Sequence, residues 1–213
     1  MLEVFNKHWS DLEQSPQYNE FWEVRSRCKK IDGSLVGPQL PSSIFDSDYN
    51  TVSYKMGIFC EMVGCRKVEV LRNEASVPEV FPFMENASNF DEAIRWSRAA
   101  RKYKTRFVAD ITRIYNATPN SLSSNILNRC IQGEKRIIAN KLVEFYFTLL
   151  ERRDLLLKYN KRKYIKTILG YSFLIALSNP STPYDGLTWS QRFMIRCLIL
   201  PCKIAIIYKK RLK

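Results

Sequence analysis

The sequence predicts an α/β fold over residues 1–124, followed by a basic, all-helical region over 125–213. Three observations carry this reading. Apolar residues recur at helical spacing at the start, as Leu2, Phe5, Trp9 and Leu12. Extended segments then alternate with turn residues, and a capped helix around Asp91 runs into a strand-like segment, Thr105–Tyr115. Beyond residue 126 the apolar pattern is helical throughout and the charge is almost all positive.

The charge asymmetry is pronounced. The 213-residue chain carries a formal charge of +13. Residues 1–93 hold nine Lys and Arg against fifteen Asp and Glu, whereas residues 94–213 hold twenty-five against six. Such a basic half points to an anionic partner. The six cysteines include no pair at the two-residue gap of a zinc knuckle, and His8 is the only histidine. A Cys/His zinc site is therefore not expected, the thiols are expected to be reduced, and proton chemistry falls to carboxylates. Met1–Trp9 lacks the basic start and apolar run of a secretory signal.

Residues 1–14 read as an amphipathic helix ended by Ser15-Pro16, and Glu20–Ile31 as a strand with Trp22, Val24, Cys28 and Ile31 on its apolar side. Asp32-Gly33 is a hairpin-type turn signal, and the prolines at 38 and 41 keep the next segment extended or looped. Asp46 and Asp48 follow apolar residues at a spacing that can hold a divalent ion against a diphosphate, or simply supply loop caps. Thr51–Val63 is ambiguous, Gly64–Arg72 is a short strand or helix, and Val77–Phe83 is irregular because prolines flank it.

In the central helix, Ser88 with Asp91, or Asn89 with Glu92, forms a capping box. Glu92, Trp96, Ala99 and Tyr103 share one face at spacings of four, three and four. A carboxylate beside apolar surface suits a general base, and an acidic pair at a helix start also complements the helix dipole. Leu127–Asn160 reads as a long helical region that Gln132-Gly133 interrupts. Neither the run Ile168–Leu177 nor the last stretch, Trp189–Lys213, holds an apolar run of the roughly twenty residues that span a bilayer. Their flanking lysines and arginines, with Tyr171, Trp189 and Tyr208 as interface anchors, fit helices lying on an anionic leaflet. No RNA-binding or helix-turn-helix pattern is present, so no nucleic-acid partner is expected.

Several segments together resemble family 2 glycosyltransferases of the bacterial cell-surface polysaccharide type. They are the Trp9 helix, Asp32–Pro41, Glu61–Arg72, Phe81-Pro-Phe83 with Asn89–Trp96, then Tyr103, Phe107, Tyr115 and Asn120–Ser123. The resemblance implies that residues 1–124 form the C-terminal, acceptor half of a GT-A fold and that 125–213 form a membrane-docking tail. It implies inverting transfer from a nucleotide-sugar to a saccharide or lipid-linked acceptor, assisted by magnesium or manganese. Glu92 matches the base position, with Asp91 as the alternative, and Trp96 and Arg95 would contact the acceptor. The donor-binding half, on the order of ninety residues by typical domain length, would lie upstream or on a partner chain. The expected location is the cytoplasmic side of the plasma membrane, held peripherally.

Overall fold

A computed structural model describes residues 1–58, 60–73, 92–116, 126–180 and 184–211. The chain divides into two compact units, Met1–Val77 with Arg95–Pro119, and Pro78–Ile94 with Asn120–Lys213.

The first unit is of the α/β class. Helix α1 (Leu2–Glu13) leads into strand β1 (Phe21–Lys30), followed by β2 (Ile44–Ser47), β3 (Met62–Arg66), α2 (Val68–Asn73), the part of α3 (Glu92–Ala99) from Arg95 onward, and β4 (Lys104–Tyr115). The sheet order is β2-β4-β1-β3, with β1 parallel to β4 and antiparallel to β3, and β2 antiparallel to β4. Its register slips three times along the β1–β4 pairing. After β1 the chain turns at Asp32-Gly33 as expected. Gly33 takes φ 84°, and the Ser34 N–H donates to the Asp32 carboxylate at 2.8 Å.

Strand β1 is an inner strand of the sheet, and its first eight residues are all buried. Phe5 and Leu12 of α1 pack against Phe21, Val24 and Val108. Burying such side chains contributes roughly 1.5–3 kcal/mol each. The same helix buries His8, whose Nε2 lies 3.0 Å from the Asp110 carboxylate. The opposite face carries Glu23, Arg25 and Arg27, all buried. The apolar side expected of this strand was Trp22, Val24, Cys28 and Ile31, which leaves Glu23, Arg25 and Arg27 off it. Tertiary packing overrides that pattern, as Trp96 and Tyr49 lie over Arg25. Ile31, expected on the apolar side, lies beyond the strand and is exposed.

The segment Gly64–Arg72, open between strand and helix, is both: β3 ends at Arg66 and α2 starts at Val68. Thr51–Lys55 forms a single π turn. Of the expected helix over 85–103, the described part is α3; Asp91, the caps at Ser88 and Asn89, and the segments Val77–Phe83 and Asn120–Ser123 lie outside the described residues.

The second unit is helical over its described residues: α4 (Ile126–Ile131), α5 (Lys135–Glu151), α6 (Arg153–Tyr159), α7 (Lys161–Ser178) and α8 (Trp189–Arg211). The expected interruption falls at Gly133, which takes φ 82° between α4 and α5. Asn160 caps α7 by accepting from the Lys163 N–H at 2.9 Å, satisfying one of the unpaired amides of its first turn. Helices α7 and α8 pack together, and Gln191 at the start of α8 donates to the Leu149 carbonyl of α5 at 2.9 Å. Among the described residues no helix is long and apolar enough to cross a membrane. All six cysteines are free thiols.

Candidate functional site

The sheet unit holds a cavity of about 180 Å³. Arg25 from β1, Met62 from β3, Phe107 from β4 and Trp96 from α3 line it, together with Tyr49, Ser53, Ile58 and Cys60. Each wall has a local cause. Asn50 fixes α3 against the segment before the π turn: its Nδ2 donates to the Ser97 carbonyl at 3.1 Å, and its Oδ1 accepts from the Ser97 hydroxyl at 2.7 Å. Trp96, Tyr103 and Ala99 also pack against Trp22 and Val70, which holds the indole at the sheet. Tyr49 meets Trp96 with ring centroids 5.4 Å apart.

Arg25 is the charged group of this wall. Its guanidinium carbon sits 3.8 Å from the Trp96 ring centroid and 5.7 Å from that of Tyr49. Its Nε donates to Glu23 at 3.0 Å, and the same carboxylate oxygen accepts from Arg66 Nε at 2.7 Å. Glu23 is fully buried, so this pairing offsets a desolvation cost that would otherwise amount to several kcal/mol. Next along β1, Arg27 donates to the carbonyls of Val36 and Pro38 at 2.7 and 2.6 Å, holding that loop. Gly37 of the loop takes φ 77°, and a Cβ there would collide with the Cys60 side chain. The Cys60 thiol is pushed up from its ordinary pKa by burial, with Arg27 and Arg25 pulling the other way.

Of the residues singled out in the sequence, Trp96 lines this cavity and Arg95 is half-buried on the same helix. Glu92 is exposed at the first position of α3, four residues before Trp96. Asp46 is held by Arg106, whose Nε and Nη2 donate to its two oxygens at 2.9 and 2.7 Å. Asp48 accepts from the Thr51 N–H and hydroxyl at 2.8 and 2.7 Å, capping the π turn. Among the described residues no group of three or more His, Cys, Asp or Glu converges. Asp46 thus forms an ion pair and Asp48 a cap. Arg25 and Glu23 were missed in the sequence. The one available signal was a charged alternation inside a segment already read as a strand.

A second feature lies on α8. Trp189, Phe193, Leu200, Ile204 and Ile207, at spacings of four, seven, four and three, are all exposed, from 54% to 78%. At 3.6 residues per turn they form one stripe, opposite the buried Gln191, Ile195 and Ile206. Trp189 and Phe193 stack at 5.6 Å with 12° between their planes. Arg192, Arg196 and Lys203 are exposed along one flank of the stripe. Helices α7 and α8 contain no Asp or Glu. Between these helices runs an apolar groove of about 320 Å³, with Ile165 and Leu169 on one side and Phe193 and Cys197 on the other.

No family model, no curated protein and no solved structure matches this chain.

Proposed function

We propose that this chain works on an anionic membrane surface, docked through α8. The observation that carries this reading is the exposed apolar stripe flanked by Arg192, Arg196 and Lys203 in a helix without a single acid. An amphipathic helix of this composition lies in the plane of the interface, with its rings at headgroup depth and its cations against lipid phosphates. Each basic residue near an anionic leaflet contributes on the order of 1 kcal/mol. Sedimentation of the intact chain with phosphatidylserine-containing vesicles and with neutral vesicles tests it. Binding confined to the anionic vesicles, and weakened by salt, is expected. Equal partition to both, or binding to oligonucleotides with none to vesicles, overturns it.

A second reading is favoured by the position of Trp96 in the cavity wall. It is the one the family resemblance implies: the acceptor side of a GT-A-type sugar transferase, with the nucleotide-sugar bound by a preceding segment or a partner chain. The packing of Trp96 and Ala99 against Trp22 of β1 supports it, because it sets the part of α3 from Arg95 onward on the sheet. Glu92, or Asp91, would take the proton from the acceptor hydroxyl as that oxygen attacks the anomeric carbon and the nucleoside diphosphate leaves. Mass spectrometry of acceptor incubated with the chain and a panel of nucleotide-sugars tests it. A product lost by orders of magnitude in Glu92→Gln is expected, and undiminished product in that variant removes Glu92 as the base.

A further inference from the structure

Arg25 has been taken out of water without an acceptor for each of its protons. It is 4% exposed, and its Nη2 has no hydrogen-bond partner. Its Nε is committed to Glu23, but that carboxylate oxygen is shared with Arg66, so Arg25 does not have a counter-charge to itself. The stack on Trp96 favours the positive charge yet accepts no N–H. The guanidinium nonetheless lines a cavity of about 180 Å³. The remaining wall is mainly apolar or aromatic, from Val52, Ile58, Met62, Phe107 and Tyr49.

A dry apolar cavity of about 150 Å³ takes one benzene ring. The present one is slightly larger and adds a single cation. We infer that it is a binding site for a small monocyclic carboxylate. The ring fills the apolar part between Phe107 and Ile58, and the carboxylate pairs with the guanidinium, whose Nη2 has no protein acceptor. Planar forked donors match a carboxylate's two oxygens, which is why arginine rather than lysine serves such groups. The volume left beyond one ring accommodates one carboxylate and little more, which excludes a nucleotide or an oligosaccharide from the cavity itself. This site depends on neither functional reading above.

Calorimetric titration of the intact chain with benzoate, and with benzyl alcohol as its neutral counterpart, tests the inference. Benzoate is expected to bind at least tenfold more tightly than benzyl alcohol and to raise the thermal midpoint. Arg25→Met is expected to lose that preference. Because this variant also strips Glu23 of a partner, Ile58→Trp provides an independent arm. It fills the cavity while leaving Arg25, Glu23 and Trp96 in place, and is expected to abolish benzoate binding with an unchanged circular dichroism spectrum. Equal affinity for the two probes, no benzoate binding at millimolar concentration, or full binding in Ile58→Trp overturns the proposal.

Discussion

The guanidinium carbon of Arg25 lies 3.8 Å from the centroid of the Trp96 ring, joining the central strand to helix α3 by a cation over an aromatic face. The contact is desolvated on the strand side, where such stacks reach about 2 kcal/mol, against 0.5–1 kcal/mol at exposed sites. Trp96→Ala is expected to cost about 3 kcal/mol in urea unfolding, as the stack and the packing against Trp22 are lost together. Trp96→Phe keeps a ring and should cost about 1 kcal/mol. A loss below 1 kcal/mol for the alanine variant would show that the stack carries little stability.

Glu23 holds two arginines on one oxygen inside the sheet. Glu23→Gln keeps the shape and removes the charge, and should destabilise by about 3–5 kcal/mol, because the cations stay behind without it. Gly64, opposite Arg25 on β3, gives Glu23 its space; a Cβ there would collide with the carboxylate. Gly64→Ala is expected to cost about 1–3 kcal/mol. In the Glu23→Ala background that cost should shrink, and a double-mutant cycle showing simple additivity would locate the clash elsewhere.

On α8, the pair Leu200→Glu and Ile204→Glu changes side chains that are 66% and 61% exposed. Each is expected to leave folding stability within about 0.5 kcal/mol. Together they should remove binding to anionic vesicles, since two carboxylates would face lipid phosphate. Raising salt should weaken wild-type binding as the Debye length shrinks from about 10 Å at 0.1 M. Retained vesicle binding by the double variant would exclude the stripe as the contact.

The thiols divide by environment. Burial raises the pKa of Cys28, Cys60, Cys130 and Cys202, whereas Cys65 and Cys197 are exposed. Iodoacetamide at neutral pH is expected to label Cys65 and Cys197 first, read by peptide mass spectrometry, with buried Cys28 and Cys130 last. The sign of the linkage is definite. A folded-state pKa above the unfolded value keeps its full contribution below the unfolded pKa, about 8.5. The contribution is lost as pH rises above that value, because the unfolded chain then releases protons that the folded chain retains. Stability should therefore decline above about pH 8.5, and less so in Cys130→Ala.

Asp48→Ala removes the side-chain acceptor of the π turn before the cavity. A lost cap of this kind costs about 1 kcal/mol. Thermal unfolding with and without magnesium checks its role. A loss of similar size in both conditions is expected, and a much larger loss with magnesium would make Asp48 a metal ligand.

What the sequence determined by itself was local. Helix α1, strand β1, the Asp32-Gly33 turn, strand β4 and the basic α8 follow from apolar spacing and turn residues, which act over a few positions and need no distant partner. Trp96 was legible for the same reason, as an aromatic in a periodic helical stripe. The tertiary structure decided the rest. Nothing local in β1 says that its charged residues are covered, so the burial of Glu23 and Arg25 is decided by Arg66 of β3 and Trp96 of α3. Nothing local says that Arg106 and Thr51 take up the carboxylates of Asp46 and Asp48. A charge carries its meaning through what surrounds it, and those surroundings are assembled from residues as many as 102 positions apart, as between His8 and Asp110.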